Sequence, residues 1–421
     1  MTRVLLVGNG AREHAIAASL HAADVELVAR MSRNNPGIAG ISREVSIGPL
    51  EDFASYPSLD GVDYAVIGPE APLAAGVVDF LESRGVPCVG PNKTAARIET
   101  SKVFARQLLS DVAPGANPQF GVARSRADIM DLIEALGLEN TVVKPDGLTG
   151  GKGVKIFGEH LASKDEVIDY ASSLIAKDGA VVLEQKLSGI EFTVQTLVDG
   201  HRIVPMPLVR DYKRAYDNDT GPNTGSMGSY SQRDHGLSYI SLSDLEEALD
   251  IMRAVVRGLA EKAGARYRGI LYGQFMKTDR GIHVIEFNAR YGDPEALNVL
   301  TILSDSADEV YQSLIDSRLI IPRFRNLATV CVYVVPQGYP GPDVVRDAEI
   351  TIEERSQSVI YYASVYEREG RIFTTGSRAL GVLATAETVE EARRRAYADV
   401  SKISGPVRYR TDIAANVREV G

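Results

Sequence analysis

The stretch Ile282-His283-Val284-Ile285-Glu286-Phe287-Asn288-Ala289-Arg290-Tyr291-Gly292-Asp293-Pro294-Glu295 decides how the rest of the chain is read. Its first half is apolar and β-branched, which predicts a strand. Glu286, Asn288 and Arg290 stand two apart, so a strand puts all three on one face. A carboxylate beside an amide oxygen suits a hard cation such as Mg²⁺, which takes oxygen ligands and bridges nucleotide phosphates. An arginine next to them suits a carboxylate or a phosphate. Read alone, the same residues fit a polar solvent face equally well.

The surroundings narrow the choice. At 421 residues the chain predicts two to four folding units. With 44% hydrophobic and 24% charged residues it has an ordinary globular composition. A formal net charge of −10 argues against wrapping nucleic acid, though local glycine loops and a few cations still bind phosphates. Cys88 and Cys331 lie far apart and the six histidines show no zinc-ligand spacing. The short apolar run after Met1 predicts a strand rather than a signal peptide, and no run approaches the ~18 residues of a membrane span. A cytoplasmic location is expected.

Residues 4–7 predict a buried strand running into Gly8-Asn9-Gly10-Ala11-Arg12-Glu13-His14 and a helix to about residue 20. Strand, glycine turn and helix start form an anion site, from bare backbone N–H groups and the positive helix end. A dinucleotide fold wants a third glycine where Glu13 stands, and an acid closing the second strand. That strand, 25–29, ends in Arg30, and Glu26 comes too early, so a sugar phosphate fits better. Residues 64–67 repeat the pattern, ending in Gly68-Pro69-Glu70-Ala71-Pro72-Leu73 and a helix to about Arg84, then strand 86–90. Alternating strands and helices predict a parallel sheet with ligands at the strands' carboxyl ends, where Gly8, Asn9, Gly10 and Glu70 fall. Glu70 suits sugar hydroxyls or an amine. One helix is expected over 92–109, carrying Ser101 and Lys102, and 111–118 reads as a linker.

Strand 142–146 carries Lys144 into Gly147-Leu148-Thr149-Gly150-Gly151-Lys152-Gly153, a hairpin whose amides close over phosphates. The spacing is not that of a Walker A loop. Lysine strand and glycine hairpin suit a nucleotide held between two β-rich lobes. Ser163 and Glu166 predict a capped helix. Strand 181–184 ends in Glu184, placed to meet an adenine amine or ribose hydroxyls, and 182–187 fits an inter-lobe hinge. Residues 210–230 predict a long polar loop covering substrate. Ser243 and Glu246 predict the start of a helix whose core face is Leu245, Leu249, Met252, Val256 and Leu259. Strand 271–276 pairs with the opening stretch and brings Gln274 near Glu286 as a third oxygen ligand. Beyond about 323 the chain predicts an α+β unit that closes or scaffolds the site, with strands near 350–352, 360–366 and 380–384, a hairpin at Glu369-Gly370, and a helix capped by Thr388.

Taken together, residues 8–14, 68–73, 144–153, 219–228 and 286–295 resemble the phosphoribosylamine–glycine ligase family of the ATP-grasp superfamily. They run in family order over nearly the whole chain. The 220–228 and 286–295 stretches are specific to that family. The resemblance implies an α/β and α+β multidomain fold. An N-terminal parallel-sheet (pre-ATP-grasp) domain would span 1–100, and a two-lobed ATP-grasp domain 101–325 with its small lid lobe at 118–190. A small C-terminal α+β domain would span 326–421.

For the site, the resemblance implies ATP binding by Lys102, Lys144, Gly147, Gly150, Gly151, Lys152, Gly153, Glu184, Gln185, Leu187 and Glu191. It implies Mg²⁺ or Mn²⁺ on Glu286 and Asn288 with Gln274, and the glycine carboxylate on Arg290. Gly8, Asn9, Gly10, Glu70 and Asp293 would bind 5-phosphoribosylamine, with Asp211, Lys213 and Arg214 at the substrate junction. Asp211 and Glu295 are both candidates to take the amine proton. The implied reaction is ATP-dependent ligation through glycyl phosphate, on small molecules only, by a monomer or homodimer. The alternative is another ATP-grasp carboxylate–amine ligase or carboxylase, which would lack the 220–228 pattern. Four positions depart from the family's commonest residues. Ala289 and Tyr291 stand for Cys and Phe, as packing changes; Ser226 stands for Gly and Tyr212 for His.

Overall fold

The computed structural model describes residues 1–149, 153–353, 356–415 and 417. The opening sheet consists of Arg3–Val7, Glu26–Met31, Glu44–Ile47, Tyr64–Ile67 and Cys88–Val89, all parallel. Their spatial order is third, second, first, fourth, fifth. Val4, Leu5, Leu6 and Val7 are wholly buried, as a central strand covered on both faces requires. The chain winds outward both ways from the first strand, so the switch point lies at the ends of Arg3–Val7 and Tyr64–Ile67. The helix anticipated up to Arg84 is two, Glu70–Ala75 and Val77–Glu82, broken by Gly76 at φ 100°.

The helix anticipated over 92–109 is also two. Lys93–Thr100 ends at Ser101, whose side chain accepts from the Phe104 amide and caps Lys102–Val112. The small lobe follows as an antiparallel sheet ordered Phe120–Ala123, Val181–Gln185, Thr141–Pro145, Lys155–Ile156. One face packs Val143 and Leu183 against Ile129, Ile133 and Val167 of its own helices, Arg126–Leu136 and Lys164–Asp178. Alternation leaves Lys144, Val182 and Glu184 on the other face.

The larger lobe's sheet runs Ile203–Pro205, Ile190–Asp199, Arg268–Thr278, Gly281–Asn288. Helix Leu242–Ala263 covers it with Leu249, Met252, Val256 and Leu259. That helix starts at Ser241, capped reciprocally with Asp244, rather than at Ser243 with Glu246. Both pairs have capping-box spacing, and the chain takes the earlier one.

Residues 210–230 are not one loop. They form four short strands, Arg210–Asp211, Arg214–Tyr216, Thr220–Asn223 and Gly228–Ser231. Two of these join the C-terminal sheet, ordered Arg210–Asp211, Gly228–Ser231, Ala328–Pro336, Leu380–Ala386, Val359–Tyr362. A boundary at 326 therefore divides the chain but not this sheet. The strand anticipated over 360–366 is two, Val359–Tyr362 and Val365–Arg368. The second makes the foreseen hairpin at Glu369-Gly370. Among the described residues, no helix is long and apolar enough to cross a membrane.

Candidate active site

The Gly281–Asn288 strand pairs with Arg268–Thr278 so that Gln274 faces Glu286 and Tyr272 faces Asn288. Phe275 already faces Val284, so Ile285 is an extra residue, a β-bulge. Strict alternation would set Ile282 and Val284 on the same face as Glu286. The bulge removes that conflict. Val284, Phe287 and Ala289 stay in the core, while Glu286 and Asn288 turn to the cleft. The bulged Ile285 carbonyl accepts from Lys144 Nζ at 3.0 Å and Arg106 Nη2 at 2.8 Å. Arg290 lies two residues past the strand's end, so it shares the face but not the ladder.

Lys144 Nζ also lies 2.5 Å from Glu184 Oε1, and Arg106 Nε 2.8 Å from Glu184 Oε2. Burial alone would raise the Glu184 carboxyl; Arg106 and then Lys144 hold it below its ordinary value. Each oxygen is thus paired with one cation inside the protein, and Glu184 fixes the lysine. Asp146 Oδ1 accepts from the Ser101 hydroxyl at 2.9 Å and the Val103 amide at 2.8 Å. This ties the root of the glycine hairpin to the helix that presents Lys102. A recess lined by Glu99, Lys102, Arg106, Lys144, Ile285 and Glu286 results.

Glu286 and Asn288 make no side-chain hydrogen bond or ion pair with a described residue. Burial would raise the Glu286 carboxyl, yet Lys102, then Lys213, Lys144 and Arg290, draw it below its ordinary value. A buried, ionised carboxylate with open oxygens fits a cation. Gln274 spends its Nε2 on Glu191 Oε2 at 2.9 Å, which leaves its carbonyl oxygen available. No group of three or more His, Cys, Asp or Glu suited to a metal occurs among the described residues. The protein's oxygen set is one carboxylate with amides, which suits a hard ion that takes its other ligands from phosphates.

Arg290 is half-spent. Its Nη2 meets Glu99 Oε1 at 3.0 Å, its Nε reaches Glu70 Oε2 at 3.4 Å, and its Nη1 donates to the Tyr291 carbonyl at 3.2 Å. A guanidinium has five N–H donors, so two remain for a ligand carboxylate. Glu99 Oε2 also takes the Ala289 amide at 2.6 Å, which fixes both the arginine and its backbone. Burial would raise the Glu70 carboxyl, but Arg290 and Arg12 draw it down to about 2.

The glycine turn after the first strand differs from the anion site anticipated there. Its Gly10 N–H is not bare: it donates to Glu13 Oε2 at 2.5 Å. Glu13 is buried, paired with Arg12 Nε at 2.6 Å. Gly8 stands at φ 123°, and a Cβ there would meet Glu13 Cγ at 2.6 Å and Pro69 Cδ at 2.7 Å. Glycine and glutamate fill each other's space, and the Gly10 amide is taken by that buried carboxylate.

Asp211, Lys213 and Glu295 gather on the far side of Glu286. Lys213 Nζ lies 3.5 Å from Glu191 Oε2. Burial, and then Asp211 beside it, push the Glu295 carboxyl up to about 7, with its Oε1 accepting from Tyr272 Oη at 3.0 Å. Burial likewise raises Asp211. Arg214, next along the strand, points the other way to Glu159 Oε2 at 2.9 Å, toward the small lobe rather than the junction. Asp293 is occupied too: its carboxylate takes Arg378 Nη2 at 2.9 Å and the Tyr333 hydroxyl. Arg378 also donates to the Gly225 and Ser226 carbonyls, so it joins the C-terminal sheet to the 219–228 segment.

Gly153 closes the hairpin tightly, since a Cβ would meet Pro145 Cγ at 2.6 Å, while Gly147 faces open space. Gly150, Gly151 and Lys152 lie outside the described residues. Gln185 ends its strand, Leu187 is half-buried and Glu191 is exposed at the lobe junction. Ser226 stands at φ 84°, a left-handed conformation that explains glycine as the commoner residue. Its hydroxyl compensates by accepting from the Tyr212 amide at 3.2 Å and donating to the Gly228 carbonyl at 2.9 Å. Tyr212 packs against Arg410, and its hydroxyl accepts from the Ala414 amide at 3.1 Å. Ala289 and Tyr291 are buried, as packing residues are. Glu99, Arg106, Asp146 and Arg378 carry no local signal, because each acts on a partner distant in sequence.

Three family models match successive parts of the chain. They are the phosphoribosylglycinamide synthetase N domain over residues 2–99, its ATP-grasp (A) domain over 100–296 and its C domain over 329–416. A phosphoribosylamine–glycine ligase of Methanoregula boonei is 46% identical over 98% of this chain and 96% of its own. One from Pyrococcus furiosus is 44% identical, with 98% and 94% covered. The crystal structure of phosphoribosylamine–glycine ligase from Thermotoga maritima superimposes with TM-score 0.84 at 31% identity, over 98% of this chain and all 100% of that one. A Campylobacter jejuni biotin carboxylase shares the fold alone, at TM-score 0.72 and 12% identity.

Proposed function

The chain belongs to the phosphoribosylglycinamide synthetase family, and on that premise we propose how its residues join glycine to phosphoribosylamine. It is an ATP-dependent carbon–nitrogen ligase of purine biosynthesis that uses ATP with a divalent metal. The carboxylase alternative is not favoured, since the relatives matched over full length are ligases. The observation that carries the residue assignment is the bulge at Ile285. It aims Glu286 and Asn288 at the lysines of the nucleotide cleft, with Arg290 two residues beyond them.

Mg²⁺ or Mn²⁺ on Glu286, Asn288 and Gln274 would supply charge neutralisation and alignment for the ATP phosphates. Lys144, held by Glu184, and Lys102, on its capped helix, bind the same phosphates. Gly147 and Gly153 bound the hairpin that closes over them, with Gln185, Leu187 and Glu191 at the lobe junction. Arg290 binds the glycine carboxylate with its two open donors. One carboxylate oxygen attacks the γ-phosphorus, the bond to the β-phosphate oxygen breaks, and ADP leaves, giving glycyl phosphate. Positioning and electrostatics do most of such a transfer. The amine of phosphoribosylamine, near Glu70, then attacks the acyl carbon, and inorganic phosphate departs. Glu295 takes the amine proton, because its acidity near 7 suits a base at neutral pH better than an ordinary carboxylate. Lys213 steadies the charge that develops beside it.

The test is ADP release with ATP and Mg²⁺, with and without glycine and freshly made phosphoribosylamine. Full release requires both. Release independent of either substrate would overturn the reading.

A further inference from the structure

The ligase reading leaves the phosphate of phosphoribosylamine without a partner. In the glycine turn at its amine end, the Gly10 amide is already taken by the buried Glu13 carboxylate and is not open to a phosphate. A cationic cleft lies one strand away. It measures about 480 Å³ and is lined by Arg33, Arg346, Asp347, Tyr366, Thr375 and Gly376.

Arg33 follows the Glu26–Met31 strand, neighbour to Arg3–Val7 in the parallel sheet. The segment before it is tied to the turn: Asn9 Oδ1 accepts from the Ser32 hydroxyl at 2.7 Å and the Ser32 amide at 3.2 Å. Asn35 continues the tie, donating to the Asn9 carbonyl at 3.0 Å and to the Tyr362 carbonyl at 2.8 Å. The turn, Arg33 and the C-terminal domain therefore form one wall. Opposite stands Arg346, whose guanidinium lies over Gly376; a Cβ there would come 2.6 Å from its Cζ. Neither arginine has an ion pair with a described residue. The one acid in the cleft, Asp347, accepts from the Tyr366 hydroxyl at 2.8 Å.

The span is right for the substrate. Glu70 caps the Tyr64–Ile67 strand, two strands from the one that precedes Arg33. Neighbouring strands are ~4.8 Å apart, so the two ends are about 10 Å apart across the sheet edge. A phosphoribosyl group laid along that edge reaches from one to the other.

We propose that Arg33 and Arg346 form the 5′-phosphate subsite of phosphoribosylamine, built jointly by the N-terminal and C-terminal domains. The proposal rests on the ligase reading for the identity of the sugar phosphate. Two unpaired guanidiniums facing one cleft match a phosphate monoester by fork geometry and charge.

The test is steady-state kinetics on Arg33→Ala, Arg346→Ala and the double variant, in the full chain. Both residues are exposed, so the fold is retained, as the melting temperature checks. Each single change is expected to raise the KM for phosphoribosylamine about tenfold, with those for ATP and glycine within twofold. An unchanged phosphoribosylamine KM in the double variant, or an equal rise for all three substrates, would overturn it. A second measurement reads the subsite without turnover. Ribose 5-phosphate, but not ribose, should raise the melting temperature of the wild type and fail to do so in the double variant. If the wild type turns over normally and that shift persists in the double variant, the subsite is wrong and the ligase reading stands.

Discussion

Glu99 offers the sharpest test of how Arg290 works. Glu99→Gln keeps the side chain's size and removes its charge. Glu99 now accepts twice, from Arg290 Nη2 at 3.0 Å and from the Ala289 amide at 2.6 Å. Glutamine has one acceptor oxygen, so its NH₂ must face one of the two donors. One charge-assisted hydrogen bond is lost. Such a bond is worth ~1.5–3 kcal/mol, a factor of about 10 to 150. Arg290 keeps its contacts to Glu70 and the Tyr291 carbonyl, so it is loosened rather than released. The KM for glycine should therefore rise by that factor while the KM for ATP moves less than twofold. Arg290→Ala is the comparator and should exceed it. The assay is ADP formation with glycine varied at saturating ATP and phosphoribosylamine. A glycine KM unchanged in Glu99→Gln, or an equal rise for ATP, would refute the claim that Glu99 acts through Arg290.

Two further outcomes follow from the same geometry. Glu286→Ala should abolish ADP formation while the chain still folds, because its carboxylate makes no hydrogen bond with a described residue; an active variant would remove the metal assignment. Glu295, pushed up to about 7, must be ionised to take a proton, so the rate of amine attack should fall about tenfold per pH unit below 7 and level above it. Glu295→Gln should erase that limb; a limb that persists would point to Asp211. The stability sign runs the other way. A folded-state acidity raised from 4.5 means that Glu295's favourable contribution is present below 4.5 and lost as pH rises toward 7.

Local signals carried the chain a long way. The parallel sheet was legible because central strands are short continuous apolar runs between glycine turns and helices. The two-lobed cleft was legible because a lysine strand and a glycine hairpin leave few other uses. Gln274 opposite Glu286 was legible because two strands that follow one another along the chain pair naturally. What misled was local ambiguity: two overlapping capping pairs at 241–246, and short strands within a polar segment at 210–230, of which Gly228–Ser231 pairs with Ala328–Pro336 a hundred residues on.

By itself, then, the sequence determined the family and the three-domain order. It did so because the motif residues stand at fixed short spacings on strands and turns. Only the tertiary structure decided which of them are free to act. Glu184, Asp293 and Arg214 already have partners within the chain: Lys144 and Arg106, Arg378, and Glu159. Glu13 fills the turn that the sequence alone reads as open to an anion. One inserted residue, Ile285, turns Glu286 from the core face to the cleft. Charges and hydrogen bonds are satisfied across long sequence separations, and such pairings leave no periodicity in the chain.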